Sequence, residues 1–231
     1  MLCLHPQVLL HHRRVLGEGE VVHRHHSITA LTAVKGAAPG VRAPRRHCGR
    51  LCGVSARGAP TDRDLAALGA SVGRRALAVG ARIATAESCT AGWVAKALTD
   101  TPGSSGWFEC GFVTYSDVAK RRDLGVSART LRRHGAVSQQ TVHEMARGAL
   151  RSAGVEIALA VSGIAGPDGG TPGKPVGTVW FCAAVRTASS IALTPSRKLF
   201  RGNRDAIRRK SVAHALRLIG RLVSHARRSP S

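Results

Sequence analysis

Three segments carry side chains whose types and spacing could do chemistry. The run Ala84-Thr85-Ala86-Glu87-Ser88-Cys89-Thr90-Ala91-Gly92 places Ser88 where a strand gives way to a helix. Such a junction exposes backbone N–H groups and the positive end of the helix dipole, which can hold the oxyanion formed when a hydroxyl attacks a carbonyl. Ser88 is therefore a candidate nucleophile, although Ser88 or Thr90 can equally cap the helix. Cys89 competes with it, since a helix N-terminus lowers a thiol pKa. Glu87 reads as a cap, a member of a buried network or a catalytic group. In Thr114-Tyr115-Ser116-Asp117-Val118-Ala119-Lys120, Tyr115 closes a strand and Lys120 follows Ser116 by one helical turn. A phenol and an amine thus come to one end of a sheet. A desolvated lysine can serve as base for a serine, with tyrosine relaying the proton. The alternative for Lys120 is an exposed helix lysine. No histidine stands in the setting of a Ser-His-Asp triad. The third segment, residues 162–178, holds six glycines between two strong strands. Their N–H groups can converge on a phosphate, with Lys174 adding charge, although the loop matches neither the Walker A nor the dinucleotide fingerprint.

The elements that position these segments follow from periodicity. Thr61 and Asp64 open a helix with Leu65, Leu68, Val72, Ala76 and Leu77 on one face, and Gly80 closes it. Strands are expected at 82–85, 107–115, 156–161, 178–185 and 191–200. Helices are expected at 90–99, 116–123, 128–133 and 138–153, the last capped by Ser138, and Asn203 caps a final helix to about residue 225. Strands alternating with helices indicate an α/β layered domain.

The chain has 231 residues, enough for one domain with some length to spare, and its 43% hydrophobic content can bury a core. No stretch approaches the roughly 20 apolar residues of a membrane span. Six irregularly spaced cysteines do not make a disulfide scaffold, and nothing resembles a cleavable signal peptide, so a cytoplasmic location is expected. The net charge of +22 would suit a polyanion, with residues 197–210 as the basic stretch. However, the excess is almost all arginine and only 3% of residues are aromatic, which favours compositional drift over a nucleic-acid reader. Residues 1–60 are expected to form a disordered basic tail or an over-extended start. Neither His23, His25 and His26 nor His47, Cys48 and Cys52 has a second ligand pair at zinc spacing.

Taken together, several stretches resemble the CinA C-terminal domain family over about residues 62–225. They are Thr85 to Thr90, Pro102 to Ser105 with Trp107-Phe108, Thr114 to Lys120, Gly135 to Ser138, Ser162 to Gly170, Lys174 to Val179, and Gly202-Asn203-Arg204. The resemblance implies a single three-layer α/β/α sandwich with a mixed sheet at residues 61–228. It also implies hydrolysis of the carboxamide of nicotinamide mononucleotide to nicotinate mononucleotide and ammonia, in pyridine nucleotide salvage, without metal or cofactor. Ser88, Tyr115 and Lys120 would be catalytic, with Glu87, Cys89 and Thr90 around the oxyanion. Gly92, Ser104, Ser105, Gly166, Asp168, Gly169, Gly170, Lys174 and Arg204 would bind substrate. A homodimer is the family expectation, with neither nucleic acid nor membrane as partner. The alternative is a non-catalytic nucleotide-binding or competence-linked interaction module. Ala91 stands where the family usually has glycine. Its methyl is harmless if that residue is helical and crowds the site if φ is positive.

Overall fold

The computed structural model describes residues 58–226. The expected basic tail, with the histidines at 23, 25 and 26 and the group His47, Cys48 and Cys52, lies outside the described residues, apart from residues 58–60. Five strands, β1 (Ile83–Glu87), β2 (Phe108–Val113), β3 (Ile157–Gly163), β4 (Thr178–Arg186) and β5 (Ile191–Leu199), form one sheet in the order β2-β1-β3-β4-β5. The first three neighbours run parallel, and β4 and β5 return antiparallel. Six α-helices complete the fold: α1 (Asp62–Val79), α2 (Trp93–Thr99), α3 (Asp117–Leu124), α4 (Ala128–His134), α5 (Gln139–Ala153) and α6 (Arg204–Ala226).

The helix starts are set locally. Thr61 and Asp64 form a reciprocal capping box on α1, and Gly80 ends that helix in the left-handed conformation at φ 66°. The side chains of Ser116, Ser127, Ser138 and Asn203 each accept the N–H three residues on, opening α3, α4, α5 and α6. At the Ser88 junction two bounds differ from the sequence expectation. β1 runs two residues further, to Glu87, and α2 begins at Trp93 rather than residue 90. Ala91 and Gly92 both have positive φ (51° and 85°), so the chain cannot enter a right-handed helix before them.

Side-chain size sorts the two faces of the sheet. Ile83, Ile157, Leu159, Val161, Val179 and Phe181 meet α1, α2 and α6. Ala84, Ala86, Ala158, Ala160, Cys182 and Ala184 meet α5 and its neighbours. The small face lets α5 pack closely, and the result is a three-layer α/β/α sandwich. α5 also fixes α3, because a Cβ at Gly148 would lie 2.0 Å from the Leu124 carbonyl oxygen. Glycine there lets the two backbones touch, and α3 is the helix that carries Lys120.

Candidate active site

Because β1, β2 and β3 are parallel and in register (Glu87 beside both Val113 and Val161), their C-terminal ends lie together. Ligand sites of α/β sheets form at such ends. Ser88 follows β1, Thr114 and Tyr115 follow β2, and the glycine loop follows β3. The ladder continues past the strands: Ser88 N–H donates to Val161 O (3.0 Å) and Thr114 N–H to Glu87 O (2.9 Å). Lys120, on the first turns of α3, is 1% exposed and Ser88 is 8% exposed. Lys120 Nζ stands 3.2 Å from Ser88 Oγ, 2.9 Å from Thr114 O and 3.3 Å from Tyr115 O. A buried lysine without a paired carboxylate is unusual. Burial pushes its pKa below the ordinary lysine value, and the nearby Asp117 and Cys89 oppose that shift.

The arrangement can hold Lys120 in either protonation state. Thr114 O and Tyr115 O can only accept, so they take the two N–H bonds of an uncharged Nζ. The lone pair is then left facing the Ser88 hydroxyl, which can donate to it. Protonated, the same nitrogen donates to all three oxygens.

Residues 88–92 form a turn rather than a helix start. Ala91 N–H donates to Ser88 O and Trp93 N–H to Thr90 O, while the N–H groups of Cys89 and Thr90 donate to no backbone carbonyl among the described residues. The amides at the start of α2 are not free for an oxyanion. The Glu87 carboxylate, only 1% exposed, accepts from Val94 N–H (3.0 Å) and Ala95 N–H (2.8 Å). Glu87 is thus the cap of α2, delivered from the strand. Cys89 is buried, and burial pushes its thiol up to about 12, with Glu87 adding to the shift. The expected thiol activation fails because the helix begins four residues later and Glu87 occupies its end.

Across the site, Arg204 joins two of the expected segments. Its Nη2 donates to the Tyr115 hydroxyl (3.0 Å) and its Nη1 to Gly166 O (2.7 Å). The Tyr115 side chain is exposed, and its phenol bonds to Arg204 rather than to Ser88 or Lys120. Only the Tyr115 carbonyl reaches Lys120. In the glycine loop, Gly166 and Gly169 have φ of 80° and 87°, and Asp168 and Gly170 are exposed. Gly170 cannot carry a side chain without meeting Val176 N at 2.9 Å. Lys174 does not extend into the loop. Its Nζ donates to His134 O (2.7 Å) at the last turn of α4. Ser104 and Ser105 form a short 3-10 turn ahead of β2, which starts beside Ile83. They therefore lie at the opposite end of the sheet from Ser88 in the same chain, which removes them from this site.

Arg208 is a neighbour of the turn that the sequence reading missed. From α6 its Nε donates to Cys89 O (3.1 Å) and its Nη2 to Thr90 O (3.0 Å). Its spacing of one helical turn from Arg204 was the available signal. The basic stretch is largely engaged within the chain: Arg204 and Arg208 as described, Arg209 with Asp62 and Asp205, and Lys210 with Arg201 O. Among the described residues no three His, Cys, Asp or Glu side chains gather to hold a metal ion, and no helix is long and apolar enough to cross a membrane.

Comparison with known proteins matches this geometry to a family. A family profile of the CinA C-terminal domain matches residues 65–223. The chain is 53% identical over 159 residues to nicotinamide-nucleotide amidohydrolase PncC of Escherichia coli K12, covering 69% of this chain and 94% of that one. It is 50% identical over 136 residues to the PncC of Pseudomonas putida, covering 59% and 82%. Among solved structures, competence damage-inducible protein A (ComA) of Klebsiella pneumoniae MGH 78578 is similar at 42% identity and a TM-score of 0.66, over 70% of this chain and 98% of that one. With its three-layer sandwich and this match over nearly the whole described region, the chain belongs to the CinA C-terminal domain family.

Proposed function

We propose that this protein is an amidohydrolase that converts nicotinamide mononucleotide to nicotinate mononucleotide and ammonia, with Ser88 as nucleophile and Lys120 as its base. The observation that carries the mechanism is the buried pair, Lys120 Nζ at 3.2 Å from Ser88 Oγ with Thr114 O and Tyr115 O accepting from the same nitrogen. The substrate comes from the named relatives, nicotinamide-nucleotide amidohydrolases similar to this chain over 159 and 136 residues.

In the first half-reaction the Ser88 hydroxyl gives its proton to neutral Lys120 as Oγ bonds to the carboxamide carbon. The carbonyl electrons move onto oxygen, which the N–H groups of Cys89 and Thr90, bonded to no backbone carbonyl among the described residues, stabilise. The carbon–nitrogen bond then breaks, and the leaving nitrogen takes the proton from Lys120 to depart as ammonia. In the second half-reaction water attacks the ester while giving Lys120 a proton, and the Ser88 oxygen leaves and recovers it. No metal or redox partner enters this balance. Thr90 and Thr114 each bury a hydroxyl without a hydrogen-bond partner, so both remain available to substrate or to the hydrolytic water. Arg204, the Tyr115 hydroxyl and the loop from Gly166 to Gly170, with Asp168 at its tip, receive the polar mononucleotide body. Gly92, at φ 85°, supplies the left-handed backbone of the turn. The described cysteines, Cys89, Cys110 and Cys182, are free thiols, as a reducing cytoplasm would keep them.

Ammonia release from nicotinamide mononucleotide by purified protein, run beside Ser88→Ala, tests this reading. Turnover by the wild type that is lost in the variant supports it. No turnover by the wild type, or equal turnover by both, overturns it.

A further inference from the structure

Arg208 holds two successive carbonyls of the turn that carries Ser88, those of Cys89 and Thr90. A trans peptide is planar, so its N–H points opposite to its C=O. With the Cys89 carbonyl turned toward α6, the Thr90 N–H must point away from α6. Of the two peptides that Arg208 grips, the second spends its N–H, that of Ala91, on Ser88 O, whereas the Thr90 N–H donates to no backbone carbonyl among the described residues and its residue is fully buried. The same turn contains Ala91 at φ 51°, a conformation that alanine keeps only where its surroundings over-determine it. Reorienting the peptides around Ala91 would relieve that strain and turn the Thr90 N–H elsewhere.

We propose that Arg208 is a positioning residue, whose guanidinium fork locks the Cys89–Thr90 peptide so that the Thr90 N–H stays set as an oxyanion donor. The inference rests on the amide hydrolysis proposed above and adds to it a residue that touches neither substrate nor Ser88. The fork explains the residue type, since a lysine ammonium cannot span two carbonyls in one fixed plane. Trp93 holds the fork in turn, with its ring centroid 5.1 Å from the guanidinium carbon. Arg209 supplies an internal control. It stacks on the same ring at 4.8 Å but spends its side-chain donors on Asp205, Asp62 and Pro60 O, none of which belongs to the turn.

The experiment compares wild type, Ser88→Ala, Arg208→Ala, Arg208→Lys and Arg209→Met in steady-state ammonia release across pH, with methylguanidinium added to the Arg208→Ala reactions. Loss of one oxyanion donor lowers kcat by on the order of 10²-fold. Arg208→Ala should show that loss with KM within threefold of wild type and with the wild-type pH dependence of kcat, because Lys120 is untouched. Methylguanidinium should restore at least tenfold, Arg208→Lys should stay low, and Arg209→Met should keep kcat within twofold. The inference is overturned if Arg208→Ala keeps kcat within threefold, or if Arg209→Met falls as far as Arg208→Ala. A wild type without turnover would instead sink the amidohydrolase reading itself, and wild-type turnover that survives in Ser88→Ala would sink the choice of nucleophile.

Discussion

Replacing Ala91 by glycine should stabilise this protein, against the usual direction of an alanine-to-glycine change. Ala91 sits at φ 51° with its methyl exposed, so it pays for left-handed backbone without burying anything in return. The left-handed conformation costs an L-residue about 1–2 kcal/mol. Glycine removes that cost but adds about 0.4–1 kcal/mol of conformational entropy to the unfolded chain. The difference is a gain of about 0.5–1 kcal/mol, or a rise in Tm of roughly 1–4 °C for a domain of this size. Differential scanning calorimetry on wild type and Ala91→Gly measures it directly, with Ala67→Gly on the exposed face of α1 as reference. The reference should lose about 1 kcal/mol, because glycine in a helix interior costs that much relative to alanine. A fall in Tm for Ala91→Gly, or the same sign of shift in both variants, would refute the argument from backbone strain.

Lys120→Met should lower kcat by on the order of 10³-fold, and Ser88→Ala with Lys120→Met should be scarcely worse than either alone, as residues acting as a unit lose their effect once; multiplying losses would place Lys120 in binding instead. Burial lowers the folded pKa of Lys120 beneath its unfolded value, so the unfolded chain binds more protons between the two, and wild-type stability carries a component that rises with pH across that window. Urea midpoints should therefore show wild type gaining on Lys120→Met as pH rises from the folded pKa toward about 10.5; parallel curves would contradict a depressed Lys120. Cys89→Ser should keep kcat within about threefold, since the thiol is buried and pushed up to about 12, and loss of turnover would point to the wrong neighbour as nucleophile. Tyr115→Phe should raise KM by about fivefold, the worth of one exposed hydrogen bond of roughly 1 kcal/mol to Arg204, with kcat within threefold. A tenfold fall in kcat at constant KM would show the phenol relaying a proton.

Local signals carried most of the fold. Thr61, Ser116, Ser138, Asn203 and Gly80 each act within four residues of their own position, and each sits in the structure where its side chain or its φ predicts. Alternation also brought Ser88 and Lys120 to one end of the sheet although they are 32 residues apart. The turn before α2 was not legible, because the first of its two left-handed residues is an alanine, a residue type that does not announce positive φ. A cap was one of three sequence alternatives for Glu87, and the choice among them depends on where α2 starts. Contacts that span the chain had no local mark. The Tyr115–Arg204 bond joins residues 89 apart, and Arg208 was one arginine among many in a basic helix. Ser104 and Ser105 illustrate the opposite error: they belong to a matching stretch, but they precede a parallel strand and so fall at its far end.

The most direct test of the Ser88–Lys120 account is to quench the protein during turnover of nicotinamide mononucleotide and map the adduct by mass spectrometry. The account predicts a nicotinoyl mononucleotide ester on Ser88, present in wild type and Cys89→Ser and absent in Ser88→Ala, which should also release no ammonia. An adduct on Cys89, or continued turnover by Ser88→Ala, would contradict it.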